Sequence, residues 1–163
     1  MGLCGETVVR EGGVRSIRRL SSLSVRIPRQ HRGCAEEVYA GLLELGLPDT
    51  LLVSPPGAGK TTLLRELVRL ISEGGRRVSL IDERAEIAGV WEGAPLFDVG
   101  PCTDVMTGAP KPEAAAMLIR AMTPQLLAMD EITTPADVEA ARSASGCGVK
   151  LLRSATIVSP SCM

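Results

Sequence analysis

The chain has 163 residues, of which 45% are hydrophobic, and a formal net charge of -1; this suffices for one domain with a buried core. Five cysteines without a C-x-x-C pair, and one histidine, do not favour a disulfide framework or a zinc site. No apolar run has the length of a membrane span or the flanks of a signal peptide, so the sequence predicts a protein of the reducing cytosol.

Residues 1–33 predict a small β-rich segment that precedes the main core. Short β-favouring pieces at 7–9, 14–17 and 23–27 are separated by glycine and proline turn signals. Seven arginines and only two acids precede Gly33. Such a segment could bind phosphate, nucleic acid or an acidic membrane, although a run of charged residues more often forms a solvent-exposed face.

From Cys34 onward, helical and strand patterns alternate along the chain. The predicted helices cover 34–45, the segment from a glycine-rich loop to Gly74, 113–122 and 136–142, and the predicted strands cover 50–53, 78–81, 126–129 and 149–152. Residues 88–112 are rich in Gly, Pro and Asp and predict a long loop with at most one short element. This alternation predicts an α/β fold with a mostly parallel sheet covered on both faces.

A phosphate-binding loop is predicted between the first of these strands and the helix that follows it. The loop is Ser54-Pro55-Pro56-Gly57-Ala58-Gly59-Lys60-Thr61-Thr62. Its glycines let several backbone N–H groups approach anionic oxygens together at a helix N-terminus. Lys60 can then reach the β- and γ-phosphates of ATP, and the Thr61 hydroxyl is placed to bind Mg²⁺. Ser54 stands where the usual Walker A pattern begins with glycine.

Two adjacent acids follow the apolar run Leu126 to Met129 and predict the hydrolytic part of the site. A metal-bound nucleotide needs a carboxylate near its Mg²⁺, and hydrolysis needs a group that orients or deprotonates water. Asp130 suits the first role and Glu131 the second. After a glycine loop in an alternating α/β pattern, this strand end indicates an ATPase.

A charged segment at 81–87 lies at the end of the strand predicted at 78–81, which follows the glycine-loop helix. Its side chains should therefore face the same edge of the sheet. A salt-bridged loop without a catalytic role is the alternative interpretation. Arg84 and Arg120 are candidates for contacting the γ-phosphate, in this subunit or in a neighbouring one.

Segments spread along the chain together resemble the stage III sporulation protein AA family. They are 21–27, 32–37, 54–65, 81–89, 98–100, 103–105, 110–111, 117–122 with Pro124, 130–131 and 148–152. Members of this family are the ATPase of a mother-cell-to-forespore channel, and they are similar to the traffic ATPases of type II and type IV secretion. The resemblance implies a P-loop NTPase core of the RecA/AAA-like kind, and it places Glu83, with Glu86, in an acidic box of the nucleotide site.

The resemblance also implies the partners and the extent of the chain. A homo-oligomer, hexameric in the family, would work with membrane-embedded channel proteins at the cytoplasmic face of the inner membrane. Residues 1–33 are expected to be the remnant of an N-terminal domain or linker, and 34–163 a P-loop ATPase domain truncated at its C-terminal end. A five-stranded core would need a helix and a final strand after Thr156, which itself stands where the family has histidine. Cys102 replaces a family arginine.

The predicted function is ATP binding and hydrolysis by a motor or assembly subunit of a secretion-like sporulation channel. An ATPase that binds single-stranded nucleic acid is a second interpretation, but one Trp, one Tyr and one Phe leave few side chains for base stacking. A small-molecule kinase is a third, against which the water-activating Glu131 counts. A scaffold that binds nucleotide without turnover is the fourth.

Overall fold

A computed structural model describes residues 2–10, 12–25 and 29–157, and these form seven strands and four helices. The strands are β1 (Gly2–Arg10), β2 (Gly13–Ser24), β3 (Thr50–Ser54), β4 (Val78–Asp82), β5 (Thr103–Thr107), β6 (Leu126–Glu131) and β7 (Lys150–Thr156). The helices are α1 (Glu36–Glu44), α2 (Lys60–Glu73), α3 (Lys111–Met122) and α4 (Pro135–Gly146). Parts of two sequence predictions, 26–27 and 158–163, lie outside the described residues.

Five strands form one sheet in the order β3-β7-β6-β4-β5, and every neighbouring pair is parallel. The predicted α/β fold with a mostly parallel sheet is therefore confirmed. Because all five strands run the same way, their carboxyl ends meet at one edge. The loops that follow β3, β4 and β6 are thus brought together there.

Helices cover both faces of the sheet because the strand residues alternate between two cores. On one face, Leu80 packs with the apolar residues of α1 and α2; on the other, Ile81 packs with those of α3 and α4. The fully buried apolar residues of α2 are Leu64, Leu67, Val68 and Ile71, at helical spacing. Within the described ranges, no helix combines the length and the apolar character needed to cross a membrane.

The edge strand β5 comes from the segment predicted as a long loop. Among the strands of the described residues it pairs only with β4, and of its five residues only Val105 and Met106 are apolar. No apolar run therefore marks it in the sequence. The expectation that a five-stranded core would need a further strand after Thr156 is wrong for this sheet, because β5 supplies the fifth strand.

The β-rich N-terminal segment is an antiparallel hairpin of β1 and β2. At each irregularity of this ladder the extra residue lies in β2, so the side chains of β1 alternate regularly between the two sides. Leu3 and Val9 of β1 therefore face the same side, together with their partners Leu23 and Val14. These four side chains are exposed. The hairpin is therefore amphipathic, and its apolar side lies outside both cores.

The segment between the hairpin and α1 is bonded to the α/β core. The Gln30 side chain donates to the Asp98 carbonyl at 2.9 Å and accepts from the Asp98 N–H at 3.1 Å. The Arg65 guanidinium, on α2, donates to the carbonyls of Arg29 and Ile87. The helix that begins at the glycine loop is thus also an anchor for the N-terminal segment.

Candidate functional site

A cleft of about 690 Å³ opens at the carboxyl ends of the parallel strands. It is bordered by the glycine loop after β3, the segments after β4 and β6, the end of β7, and the first turns of α3 and α4. Ligands of open parallel sheets bind at this edge, and the volume suits a small-molecule site. The cleft is therefore the candidate nucleotide site.

The glycine loop presents its backbone to the cleft. Gly57 has φ 76° and Gly59 has φ 89°, in the left-handed region, and Gly59 is the N-cap of α2. A Cβ at either position would meet no atom within 4 Å, so backbone conformation rather than crowding requires glycine. The first N–H groups of α2, which no helical carbonyl can pair, are available to an anion.

Five of the nine predicted loop residues line the cleft. They are Pro56, Gly57, Gly59, Lys60 and Thr61, whereas Ser54, Pro55, Ala58 and Thr62 are not among its lining residues. The Lys60 ammonium donates to the carbonyl oxygens of Ser54 at 3.0 Å and Pro55 at 3.1 Å. In this structure the lysine therefore lies over its own loop.

A β-bulge at the end of β6 brings two adjacent carboxylates to the cleft. In the ladder with β7, Met129 pairs with Arg153 and Glu131 pairs with Ser154, which leaves Asp130 as the extra residue. Successive side chains of a regular strand point to opposite faces, and a bulge interrupts that alternation. Asp130 is 9% exposed, Glu131 is half-buried, and both line the cleft.

The first acid of the charged segment, Asp82, is buried away from the cleft. Its carboxylate accepts hydrogen bonds from the backbone N–H groups of Glu86, Ile87 and Ala88 at 2.8 to 3.1 Å, and the residue is 0% exposed. It satisfies the backbone of the turn after β4. The prediction that the charges of 81–87 face the site is therefore wrong for Asp82.

The other predicted charges divide between cleft and surface. Glu83, Arg84 and Glu86 line the cleft. Arg120 is exposed in the last turn of α3, whereas Lys111, at the other end of this helix, lines the cleft. The rise of the helix separates the two residues by about 13 Å along its axis. Of the two predicted arginines, the structure brings only Arg84 to the cleft of its own chain.

Lys111 is a cleft residue to which the sequence pattern assigned no role. It is the first residue of α3, its side chain is 7% exposed, and its Nζ lies 2.9 Å from Oε2 of Glu83. The two residues are 28 positions apart. Strand β5 brings them together, because it pairs with β4 and is followed by α3. Recognising β5 in the sequence would have been needed to predict this contact.

A capping box at the start of α4 completes the cleft wall. Thr134 Oγ1 accepts from the Asp137 N–H at 3.2 Å, and Asp137 Oδ2 accepts from the N–H groups of Thr133 and Thr134 at 3.0 Å. Burial raises the pKa of the Asp137 carboxyl, but the backbone hydrogen bonds and the charge of Lys111 outweigh it. The pKa therefore lies below its ordinary value, which favours the ionised form that caps the helix.

The end of β7 contributes two hydroxyl residues that the site prediction did not include. Ser154 and Thr156 both line the cleft, and their spacing of two along a strand places them on the same face. Thr156 is the residue that stands where the resembled family has histidine. This position therefore borders the cleft, with a threonine in it.

The sequence of this chain is similar to that of a known protein family and of a curated protein. The family model described as "Sporulation stage III, protein AA" matches residues 1–161. Stage III sporulation protein AA of Bacillus subtilis (strain 168) is 39% identical over 160 residues, which are 95% of this chain and 52% of the relative. The chain thus spans about half the length of that curated relative.

Two solved structures have a similar fold. The ATPase DotB of Legionella pneumophila matches with a TM-score of 0.54 and 17% identity, over 73% of this chain and 34% of that one. The pilus retraction motor PilT with bound ADP matches with a TM-score of 0.51 and 18% identity, over 86% and 39% of the two chains. At these identities the likeness shows the fold alone, which is that of the P-loop traffic ATPases.

Proposed function

The chain belongs to the Sporulation stage III, protein AA family, and on this premise we propose that its cleft binds Mg-ATP and hydrolyses it to ADP and phosphate. The observation that carries the proposal is the meeting of the glycine loop and the two carboxylates of β6 at one cleft. ATP hydrolysis needs converging N–H donors, a metal ligand and a group that accepts a proton from water. Each of these requirements has its own residues there.

The glycine loop and the start of α2 hold the phosphates in this proposal. The N–H groups from Gly57 to Thr61 surround the β-phosphate, in the manner that helix N-termini bind anions. Lys60 exchanges the two loop carbonyls for oxygens of the β- and γ-phosphates. The exchange requires only that a long, flexible side chain turn within the cleft it already lines.

Glu131 is the proposed general base. Its carboxylate accepts a proton from water as the water oxygen attacks the γ-phosphorus, and ADP leaves with the electrons of the broken P–O bond. Glu83 supplies a second carboxylate beside the γ-phosphate. Arg84, from this chain, and Arg120, from a neighbouring copy, are the candidates for stabilising the transferred phosphoryl group.

The charges of the cleft favour a nucleotide that carries a metal ion. Six acids and three bases line it among the described residues: Glu83, Glu86, Glu113, Asp130, Glu131 and Asp137 against Lys60, Arg84 and Lys111. Thr61 and Asp130 offer a hydroxyl and a buried carboxylate, the hard oxygen ligands that Mg²⁺ takes alongside phosphate and water. Bound there, Mg²⁺ would neutralise phosphate charge and orient the triphosphate.

We extend the proposal to the cell as a motor or assembly subunit of a secretion-like sporulation channel. The B. subtilis relative is a stage III sporulation protein, and the two similar structures are those of an ATPase and of a pilus retraction motor. The proposed form is a homo-oligomer, hexameric as the resemblance implies. Its proposed partners are membrane-embedded channel proteins of the same complex, contacted from the cytoplasmic side.

Thermal unfolding with and without Mg-ATP tests the binding step. A ligand at 100 times its Kd stabilises the folded state by about 2.7 kcal/mol, which raises Tm by several degrees. We expect that shift for the wild type, and we expect EDTA to reduce it.

The matched variants are Lys60→Met, in the phosphate loop, and Lys150→Met, an exposed lysine at the opposite end of β7 from the cleft. The first should lose the Mg-ATP shift, and the second should keep it. A wild type that shows no shift at millimolar Mg-ATP, or a Lys60→Met variant that shifts as much as the wild type, would overturn the proposal.

A further inference from the structure

Lys111 is a buried cation of the cleft that has no role in the proposed reaction as described above. Its side chain is 7% exposed, whereas its partner Glu83 is 44% exposed. Burying an ammonium group costs free energy unless it is paired, and a buried ion pair is weak evidence of a contribution to stability. The carboxylate could be solvated without its partner, but the ammonium could not.

Glu83 is bonded at two points to the start of α3 and the loop before it. Its Oε2 receives the Lys111 ammonium at 2.9 Å, and its backbone carbonyl accepts a hydrogen bond from the Gly108 N–H at 3.3 Å. The main chain of this acid is thus bonded to the loop between β5 and α3, and its side chain to the first residue of α3. A half-exposed carboxylate would otherwise be free to rotate among several staggered conformations.

The charge of Lys111 acts on a second carboxylate of the cleft wall. It contributes to the lowered pKa of the Asp137 carboxyl, so the ammonium lies within electrostatic reach of α4 as well as of the β4 end. Lys111 is therefore paired with Glu83 and also favours the ionised form of Asp137, an acid of another element. Glu83, Lys111 and Glu131 all border the same cleft.

We propose that Lys111 is a positioning residue of the nucleotide site, which holds the Glu83 carboxylate in the orientation that hydrolysis requires. The inference rests on the proposed ATPase function and adds to it a residue that acts through another. A positioning residue affects turnover more than ground-state binding, because its effect appears where atoms must be aligned in the transition state.

A double-mutant cycle in the full chain separates this role from a direct contact with nucleotide. The variants are Lys111→Met, Glu83→Gln and the two together, each measured for kcat and for KM of Mg-ATP. Each single change should lower kcat by roughly tenfold to 100-fold, with KM changed much less. The double variant should be no slower than Glu83→Gln alone, because residues that act as a unit are not additive.

Two further variants serve as checks on charge and on folding. Lys111→Arg keeps the positive charge and should recover part of the lost kcat. Lys150→Met removes an exposed lysine outside the cleft and should leave kcat unchanged. Methionine at 111 preserves the length of the buried side chain, so its Tm should stay near that of the wild type.

The outcomes distinguish this inference from the proposed function. Losses that multiply in the double variant, or an unchanged kcat in Lys111→Met, would overturn the positioning role while leaving the ATPase proposal in place. A wild type that binds no Mg-ATP or releases no phosphate would overturn the proposed function itself. A large fall in the Tm of Lys111→Met, without recovery of kcat in Lys111→Arg, would assign the lysine to folding instead.

Discussion

Gly59 adopts a φ of 89° at the point where the phosphate loop becomes helix α2. An L-residue in this left-handed conformation costs about 1–2 kcal/mol, although the space around the missing Cβ is open. We predict that Gly59→Ala lowers the free energy of unfolding by about that amount and weakens Mg-ATP binding, because the loop N–H groups no longer converge. Urea unfolding and a binding titration measure the two effects.

Gly146 provides the matched control for that substitution. It lies at the end of α4, outside the left-handed region, and a Cβ there would also meet no atom within 4 Å. Gly146→Ala should leave binding unchanged and stability equal or slightly higher, because alanine favours helix. If both alanine variants behaved alike, backbone conformation at Gly59 would not be the reason for its glycine.

Single residues of the site differ in how well the sequence could predict them. Lys60 and Thr61 were predictable as cleft residues because one contiguous loop contains the phosphate-binding pattern except for its first glycine, which is Ser54. Asp82 and Glu83 are adjacent acids, yet the first is buried at the end of β4 and the second borders the cleft. Which of the two acids faces the cleft depends on the path of the chain after β4, which the sequence does not reveal. Lys111 could not be identified at all without knowing that β5 pairs with β4.

At the scale of elements, the sequence predicted well those helices and strands that have long apolar patterns. Helix α2 and strand β6 were both expected near their observed bounds because tertiary packing buries most of their apolar residues. Strand β5 has two apolar residues and one strand neighbour, so its signal was weak. The bulge in β6, which brings Asp130 and Glu131 to one cleft, has no signal in the sequence that distinguishes it from a regular strand end.

Helix α4 depends on Asp137 for its N-terminal cap, and this dependence should change with pH. The folded state lowers the pKa of the Asp137 carboxyl. The stabilisation is therefore fully present above the unfolded pKa, about 3.9, and it is lost as the pH falls through the lower folded value. We predict that Asp137→Asn lowers the free energy of unfolding by about 1 kcal/mol at pH 7.

The difference between wild type and Asp137→Asn should shrink as the pH falls from 5 to 2, measured by urea unfolding at each pH. Glu139→Gln, an exposed change on the same helix, should match the wild type over this range. A difference that stayed constant down to pH 2 would contradict the claim that the ionised carboxylate caps the helix.

At the scale of the whole molecule, the cores lie in the α/β part and the hairpin packs little of its surface. A two-stranded hairpin is marginally stable in water by itself. The segment that joins it to the core is nevertheless bonded, through Arg65, to the helix that begins at the phosphate loop. The N-terminal segment and the proposed nucleotide site thus share one element, α2.

Phosphate release from ATP with Mg²⁺, by the wild type and by Glu131→Gln, tests the hydrolytic function most directly when measured over a range of protein concentrations. We predict turnover by the wild type, with a specific activity that rises with concentration if a neighbouring copy supplies Arg120. Glu131→Gln should bind Mg-ATP as the wild type does and turn over at least roughly 100-fold more slowly. Glu139→Gln should be as active as the wild type. A wild type that binds Mg-ATP without releasing phosphate, or a Glu131→Gln variant as fast as the wild type, would contradict the assignment.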